Sequence, residues 1–410
     1  MQALNGIRVL DLTQIMAGPY CTMLLADLGA TVIKIERPEG GDDARRMGFR
    51  VSAERQESLS YLAMNRNKYG MAVDIRRAPG REILIRLIRS ADVLVENFRP
   101  GTMGRLGLAY EDVREINPRM IYCSISAYGQ TGPMAGQGGF DLVAQAMSGV
   151  ISVTGTPDHP AKSGVPLSDL NAGLFASHAI LAALLYRTQS GEGQYIDTSL
   201  LEGALAYTIW ESTEYWATNI APSGLGTAHR NSAPYQTFAT QDGSIAIGAA
   251  NQRNWERLAH ALQAEYLLDD ARFATNSERL ANRGVLADIL TTLFKRRSTQ
   301  DWLAILKAAE VPAGPVLNMA QVYQHPQVKA RQMELSYQHP VAGLVHGIGM
   351  PVKMSKTPAA LLRPAPLLGQ HTFHYLLQAG YSYAECLSME RAGIVRDAHW
   401  EEPDGPGKGD

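Results

Sequence analysis

Cysteine is scarce in this chain. The 410 residues include three cysteines, Cys21, Cys123 and Cys386, which lie far apart in the sequence. Their spacing fits neither a disulfide framework nor a set of metal ligands, so we expect no metal site and a reducing, cytoplasmic compartment. The amino-terminal residues also lack the basic-then-apolar pattern of a secretory signal, which favours the same compartment.

Excess charge of either sign is missing as well. The 38 basic and 40 acidic residues give a net charge of −2, which argues against a nucleic-acid or membrane-surface partner. The longest apolar run, residues 170–186, is interrupted by Ser177 and His178 and predicts a core helix rather than a membrane span. The length and the 45% share of hydrophobic residues predict a globular protein of two domains.

Two familiar phosphate-binding motifs are absent at the predicted strand ends. Neither G-x-G-x-x-G nor a Walker A loop occurs there, which argues against a nicotinamide-dependent dehydrogenase and a P-loop NTPase. What is present is a regular alternation of short apolar strands with helices. Strands are predicted at 7–12, 31–36, 72–75, 92–96 and 120–126, with helices between them. This alternation predicts an α/β fold with a Rossmann-like, doubly wound parallel sheet.

Arginine recurs where these strands end. Arg37, Arg76 and Arg99 follow three of the strands, and Arg105 lies a little later. Ligands of such sheets bind beyond the carboxyl ends of the strands, and the planar guanidinium group pairs well with phosphate. Several arginines at this edge therefore predict an anionic, phosphate-bearing ligand, although a single arginine at such a place is usually a solvated surface residue.

The pattern changes in the second half of the chain. Two strands at 235–240 and 244–248 flank Gln241-Asp-Gly243, a hairpin signal, and helices follow near 254–262, 277–295 and 299–309. We therefore predict the following domains: a large α/β domain at 1–198, a linker helix at 199–224, a small α+β domain at 225–320, a linker and return to the large domain at 321–400, and a disordered tail at 401–410.

One carboxylate occupies a loop–helix junction. Ser168 is a candidate N-cap of the helix that contains the long apolar run, which would place Asp169 in its first turn. The positive end of a helix favours an ionised carboxylate, so Asp169 is predicted to be anionic at neutral pH. Such a carboxylate can be a covalent nucleophile or simply a helix cap. This stretch alone does not decide between them.

Several motifs resemble those of the family III CoA-transferases, the group of formyl-CoA transferase and carnitine CoA-transferase. They include Leu4-Asn-Gly-Ile-Arg-Val-Leu-Asp-Leu-Thr13, Val32-Ile-Lys-Ile-Glu-Arg37, Val95-Glu-Asn-Phe-Arg-Pro-Gly101, Gly191-Glu-Gly-Gln194 and Pro366-Leu-Leu-Gly-Gln-His-Thr372. The resemblance extends from Leu4 to about Val395. It implies an enzyme whose catalytic nucleophile is Asp169, with coenzyme A (CoA) or acyl-CoA as a substrate and no permanently bound cofactor.

The resemblance also implies where substrates bind. The CoA contacts would be Met16, Ala17, Arg37, Val73, Ile75, Arg76, Asn97, Phe98 and Arg105. The candidates for contact with the small carboxylic acid are Phe140, His229 and Arg230. Arg230 could hold the second carboxylate of a dicarboxylic acid such as succinate, with succinyl-CoA as the donor, or it could be a surface residue in a polar loop.

The same resemblance implies a homodimer of interlocked rings and a covalent relay through an aspartyl anhydride and an aspartyl-CoA thioester. A related enzyme, 2-methylacyl-CoA racemase, shares the aspartate but pairs it with a histidine. Phe140 occupies the place of that histidine here, and phenylalanine cannot transfer a proton. A CoA-binding protein without turnover is the alternative of another class, and the presence of Asp169 argues against it.

Overall fold

The computed structural model describes residues 2–49 and 58–399. Its strands are, in chain order, β1 (Arg8–Asp11), β2 (Thr31–Glu36), β3 (Lys68–Val73), β4 (Val93–Glu96), β5 (Ile121–Ser126), β6 (Gly155–Thr156), β7 (His159–Pro160), β8 (Tyr195–Ser199), β9 (Tyr235–Ala239), β10 (Ser244–Gly248), β11 (Ala313–Pro315), β12 (Glu334–His339), β13 (Gly343–Ile348) and β14 (Val395–Arg396). The predicted disordered tail at 401–410 lies outside the described residues.

The α-helices are, in chain order, α1 (Ala17–Asp27), α2 (Leu59–Asn65), α3 (Ala78–Ile88), α4 (Thr102–Arg105), α5 (Tyr110–Ile116), α6 (Asp141–Met147), α7 (Val150–Val153), α8 (Leu167–Ser190), α9 (Leu200–Leu205), α10 (Ile209–Thr218), α11 (Gln252–Ala261), α12 (Asn276–Ala281), α13 (Arg283–Phe294), α14 (Thr299–Ala308), α15 (Met319–Gln324), α16 (Pro326–Ala330), α17 (Thr372–Gln378) and α18 (Tyr383–Arg391). The single linker helix predicted at 199–224 is instead divided into α9, a 3-10 turn and α10, which ends at Thr218.

Two compact units make up the chain. The first comprises Met1–Val150, Ser163–Ile209 and Arg331–Asp410, and the second comprises Ile151–Lys162 and Trp210–Ala330. The short first segment of the second unit carries the β6–β7 hairpin. Its Gly155 carbonyl accepts a hydrogen bond from the N–H of Gly226 in the same unit.

The first unit is built on a seven-stranded sheet with the order β14-β3-β2-β1-β4-β5-β8. Neighbouring strands from β3 to β8 run parallel, and β14 is antiparallel to β3. The order 3-2-1-4-5 is that of a doubly wound sheet, in which ligands bind beyond the carboxyl ends of the strands. The predicted parallel α/β sheet is confirmed.

Apolar side chains alternate between the two faces of this sheet, because successive residues of a strand point to opposite sides. On one face Val9 and Val32 pack with buried residues of α1 and α8. On the other face Leu10 and Ile33 pack with residues of α3, α5 and α17. Helices therefore cover both faces, and the strand ends remain as the place for a site.

Strand β3 corrects one boundary. The sequence predicted a strand at 72–75, whereas β3 spans Lys68–Val73. Lys68 is fully buried inside the ladder with β2. A buried lysine is tolerated here because its ammonium group donates to three oxygen atoms, those of Asp11, Asn65 and the carbonyl of Pro19.

Helix α8 is the long apolar element of the first unit. By length and composition alone it could cross a membrane, with a mean hydropathy of 1.3 over 18 residues, and half of that window is buried inside the protein. Its buried side packs on α1 and the sheet, as expected of a core helix. Gly173 permits the close approach to α1, since a Cβ atom there would lie 2.4 Å from the carbonyl oxygen of Ala17.

The second unit has a core of its own. A three-stranded antiparallel sheet, ordered β11-β10-β9, carries Phe238, Ile245 and Ile247 on its buried side. These side chains pack with Trp255 and Phe294 from the surrounding helices. The predicted hairpin of β9 and β10 is present.

Candidate active site

Asp169 lies in the first turn of α8, as the sequence predicted. The prediction that Ser168 caps this helix is wrong, because the helix begins at Leu167 and Pro166 occupies the N-cap position. The missing cap bond comes from another helix. The Asp141 carboxylate, at the start of α6, accepts a hydrogen bond from the Ser168 N–H at 2.9 Å.

The prediction that Asp169 is fully ionised at neutral pH is also corrected. Burial, together with the negative charge of Asp141, raises the pKa of Asp169 from its usual value of 3.8 to about 7. The positive helix end was expected to keep this carboxylate ionised, but burial and a like charge disfavour the anion more strongly. At neutral pH Asp169 therefore exists in both protonation states.

A cavity of about 410 Å³ opens in front of Asp169 at the carboxyl ends of the strands. The lining residues are Gln14, Ile15, Met16, Ala17, Asn97, Phe98, Arg99, Pro100, Ile125, Ser126, Ala127, Gln137, Gly138, Gly139, Phe140, Asp169 and Leu200. Four predicted CoA contacts, Met16, Ala17, Asn97 and Phe98, thus lie beside the predicted nucleophile. Among these described residues the charged ones are Arg99 and Asp169, so one cation and one titratable carboxyl group face the cavity.

Three lining residues come from the glycine-rich loop before α6. Gly139 has no room for a side chain, since a Cβ atom would approach Ala127 and the Tyr128 hydroxyl to 2.8 Å. The next residue, Phe140, is 80% exposed. Among the described residues that line the cavity there is no histidine.

A second, smaller cavity of about 280 Å³ contains two of the predicted phosphate-binding arginines, Arg37 and Arg76. Both are already paired with carboxylates. Arg37 binds Asp43 at 2.7 Å and Arg76 binds Asp74 at 2.9 Å, and the Arg76 side chain is 71% exposed. A phosphate group would have to compete with or share these partners.

The other three predicted CoA contacts line neither cavity. Val73 is buried in the sheet core, where its backbone pairs with Val395, and its contact with CoA stays a prediction. Ile75 is partly buried against the same core. Arg105 donates to the Thr102 hydroxyl at 3.0 Å and is exposed.

Asn97 and Phe98 are held by polar contacts at the end of β4. The side-chain oxygen of Asn97 accepts a hydrogen bond from the Gln14 N–H, and the side-chain nitrogen of Asn97 donates to the Gln14 carbonyl, at 2.8 Å each. Glu96 accepts the Phe98 N–H at 2.8 Å and the Ser124 hydroxyl at 2.5 Å, and burial raises the pKa of Glu96 to about 7. Phe98 lines the Asp169 cavity and also packs against the core.

His229 and Arg230 belong to the second unit, where both have partners. The His229 ring stacks on Tyr235 with 4.9 Å between ring centres. Arg230 lies 3.2 Å from the Glu214 carboxylate and 3.9 Å from that of Glu211. The binding of a second substrate carboxylate by Arg230 stays a prediction, and such a ligand would have to displace these glutamates.

Asp141, Gln14 and Ile15 were not among the site residues predicted from the sequence. A signal for Asp141 existed, because it directly follows Phe140, a predicted contact of the small carboxylic acid. Gln14 and Ile15 had no such signal, since they are ordinary loop residues between β1 and α1. Among the described residues, no group of three or more His, Cys, Asp or Glu side chains is placed to hold a metal ion.

Comparison with known proteins identifies the family. A family model described as CoA-transferase family III matches residues 4–372. Succinyl-CoA:glutarate CoA-transferase of Homo sapiens is 41% identical over 401 residues, which cover 97% of this chain and 91% of the relative. Succinate–glutarate CoA-transferase of Agrobacterium fabrum is 39% identical over 381 residues, which cover 92% of this chain and 95% of the relative.

Solved structures agree. The crystal structure of a CAIB/BAIF family protein from Brucella suis has 39% sequence identity and a TM-score of 0.83, and the match covers 92% of this chain and 99% of the other. The family match spans both the loop at Met16 and the helix that carries Asp169. The chain belongs to family III of the CoA-transferases.

Proposed function

We propose that the protein transfers CoA from succinyl-CoA to a dicarboxylic acid such as glutarate, with Asp169 as the covalent nucleophile. The observation that carries the mechanism is the position of Asp169 at a cavity that also contains four predicted CoA contacts. The choice of acids is supported by relatives named for succinyl-CoA and glutarate that are about 40% identical over most of the chain.

In the first half of the reaction the ionised Asp169 carboxylate attacks the thioester carbon of the donor. The carbon–sulfur bond breaks, CoA leaves as a thiolate, and the side chain and the acyl group form a mixed anhydride. The thiolate then attacks the aspartyl carbon of the anhydride, which releases the donor acid and leaves an aspartyl-CoA thioester. Each step forms one bond to a carbonyl carbon and breaks another, which divides a difficult exchange into easier ones.

In the second half these steps run in reverse with the acceptor. The acceptor carboxylate attacks the aspartyl-CoA thioester and expels the thiolate, and the thiolate attacks the acceptor carbonyl of the new anhydride. The new acyl-CoA is released and Asp169 returns as a carboxylate. Each tetrahedral intermediate carries an oxyanion that needs hydrogen-bond donors. Gly138 and Gly139 line the cavity, and their backbone N–H groups are our candidates.

The raised pKa of Asp169 fits this role. A carboxylate of pKa about 7 is a stronger base than an ordinary one, and basicity and nucleophilicity rise together. The cost is that only the ionised fraction can attack. The rate of reaction with acyl-CoA should therefore rise with pH through about 7.

The homodimer is part of the same proposal. Helix α8 presents a stripe of apolar side chains on the side away from the sheet, including Leu174, Leu181 and Leu185, and Leu185 is 65% exposed. An exposed apolar stripe along a long helix is typical of an interface. We propose that a second copy of the chain covers it in the interlocked arrangement implied by the resemblance.

The mechanism is tested by Asp169→Asn. The variant should fold and bind succinyl-CoA yet lose turnover by several powers of ten, because an amide cannot form the anhydride or return as a carboxylate. The wild type, incubated with succinyl-CoA and then borohydride, should carry an alcohol in place of the Asp169 carboxyl group, detected by mass spectrometry of that peptide.

A matched control is Asp301→Asn. Asp301 occupies the same position in the first turn of α14 as Asp169 does in α8, so it shares the helix environment without the cavity. We expect unchanged turnover for this variant. Full activity of Asp169→Asn, or reduction mapped to another carboxyl group, would mean that Asp169 is a residue of the helix that takes no part in the chemistry.

A further inference from the structure

The loop between β1 and α1 forms one wall of the Asp169 cavity. Gln14, Ile15 and Met16 belong to that wall. Ile15 has a positive φ of 70°, which a β-branched residue adopts only under constraint from its surroundings. The shape of this wall therefore depends on whatever holds the loop.

Side chains from four other positions hold it. Five consecutive backbone polar groups, from the Thr13 N–H to the Ile15 N–H, are bonded by side chains. The Thr13 N–H donates to Asp11 and the Thr13 carbonyl accepts from Lys34 at 2.8 Å. The Gln14 N–H and carbonyl both bond Asn97. The Ile15 N–H donates to Asp42 at 3.0 Å.

Two buried ion pairs lie behind these bonds. Lys34 binds Asp42 at 2.9 Å and Lys68 binds Asp11 at 2.9 Å, and all four side chains are fully buried. Although burial acts to raise it, the two neighbouring lysines lower the pKa of Asp11 to about 2. A stable fold does not need two such pairs, because the free-energy penalty of removing the charges from water is about as large as the attraction between them.

We assign these ion pairs a role at the neighbouring loop. We propose that the buried pairs Lys34–Asp42 and Lys68–Asp11 are positioning groups of the transfer reaction, which hold the Thr13–Met16 loop in the shape that receives acyl-CoA beside Asp169. This inference rests on the proposed function. None of the four side chains lines the cavity. They act through the loop backbone and do not touch the substrate.

The test removes one pair without leaving an unpaired charge. In the double variant Lys34→Met with Asp42→Asn, the amide oxygen of the introduced asparagine can still accept from the Ile15 N–H, whereas the Thr13 carbonyl loses its partner. We expect the KM for succinyl-CoA to rise about tenfold or more, since small misplacements at a site have effects of this size. The KM for the free acid should stay unchanged.

The matched control is another buried ion pair of the first unit. Arg66 binds Asp27 at 2.6 Å with both side chains almost fully buried, and neither contacts the loop. The double variant Arg66→Met with Asp27→Asn should lower the melting temperature about as much as the loop variant without moving the KM for succinyl-CoA. Equal changes of KM in both variants would overturn the proposal.

Amide hydrogen exchange provides a readout that does not depend on turnover. In the wild type the Gln14 and Ile15 amides should exchange slowly, and in the loop variant they should exchange at least about tenfold faster while the control stays protected. Fast exchange in the wild type overturns the proposal. A wild type that protects the loop but transfers no CoA would contradict the proposed function, whereas normal transfer with an unchanged KM in the loop variant would contradict this inference alone.

Discussion

Asp141 caps the helix that carries Asp169, through a 2.9 Å hydrogen bond from the Ser168 N–H to its carboxylate. The capping residue is thus a second carboxylate beside the proposed nucleophile. Gln145, one turn further along α6, donates to the same Asp141 carboxylate at 2.7 Å. One residue therefore supports the start of α8 and also raises the pKa of Asp169.

The first prediction concerns Asp141→Asn. An asparagine oxygen can still accept the Ser168 N–H, so the helix start is kept while the negative charge is lost. The pKa of Asp169 should fall toward its usual range, although burial, the larger cause, remains. In a pH profile of kcat/KM for succinyl-CoA from pH 5 to 9, the acid limb should move down by about one unit.

The control for this prediction is Asp112→Asn. Asp112 also accepts a helix-start N–H, that of Ala109 at 2.9 Å, but it lies outside the cavity. The acid limb of the pH profile should be at the same pH in Asp112→Asn as in the wild type. An unchanged limb in Asp141→Asn would mean that Asp141 does not influence the proton affinity of Asp169.

A second prediction links Asp169 to stability. Because the pKa of Asp169 is raised above 3.8 in the folded protein, ionising it costs folding free energy, and this cost is absent well below pH 4 and complete above pH 7. Asp169→Asn should therefore melt at nearly the same temperature as the wild type at pH 4 and higher at pH 8. Solvent screens a partly exposed group, so we expect about 1 kcal/mol, or about 2 °C, by calorimetry. A destabilised variant at pH 8 would contradict the pKa assignment.

The arginines of the smaller cavity give the third prediction. Arg37→Ala and Arg76→Ala should each weaken succinyl-CoA binding about tenfold, because charge-assisted hydrogen bonds to phosphate are lost. Binding of an acyl-pantetheine without phosphates should be unaffected. Arg77→Ala is the neighbouring control, since Arg77 instead donates to the carbonyl of Ala392. Equal losses for both ligands would rule out the phosphate assignment.

A fourth prediction tests the dimer. Leu181→Glu with Leu185→Glu places two charges on the exposed stripe of α8 and should convert the protein to a monomer in light-scattering measurements. Leu344→Glu is the control, because Leu344 is also exposed, on β13 of the same unit, but lies outside the stripe. If the wild type is a monomer, or if the α8 variant remains a dimer, the proposed interface is wrong.

The sheet could be predicted from the sequence because its signal is local. Apolar runs at 31–36 and 120–126 match β2 and β5 to within a residue. The burial of Lys68 could not be predicted in this way. A lysine in a strand argues against burial, and only the positions of Asp11, Asn65 and Pro19 in the fold make its burial acceptable.

The features of the site also differ in whether local sequence determines them. The place of Asp169 in a first helical turn follows from local sequence, and its role follows from the resemblance. Its pKa could not be predicted, since it is raised by burial in the folded chain and by the charge of Asp141 on another helix. Likewise, nothing in the sequence near Asn97 indicates that its amide bonds Gln14 rather than a ligand.

The pairing of β14 with β3 has a consequence for how the chain is made. Ala72 is opposite Arg396 in this ladder, so β3, which pairs with β2 on one side, obtains its second partner from a strand that is made much later. During synthesis on the ribosome, this side of β3 is an open edge until β14 has emerged. Open edges invite pairing with other chains. The nascent protein therefore depends on β14 to cover an edge at which it would otherwise aggregate.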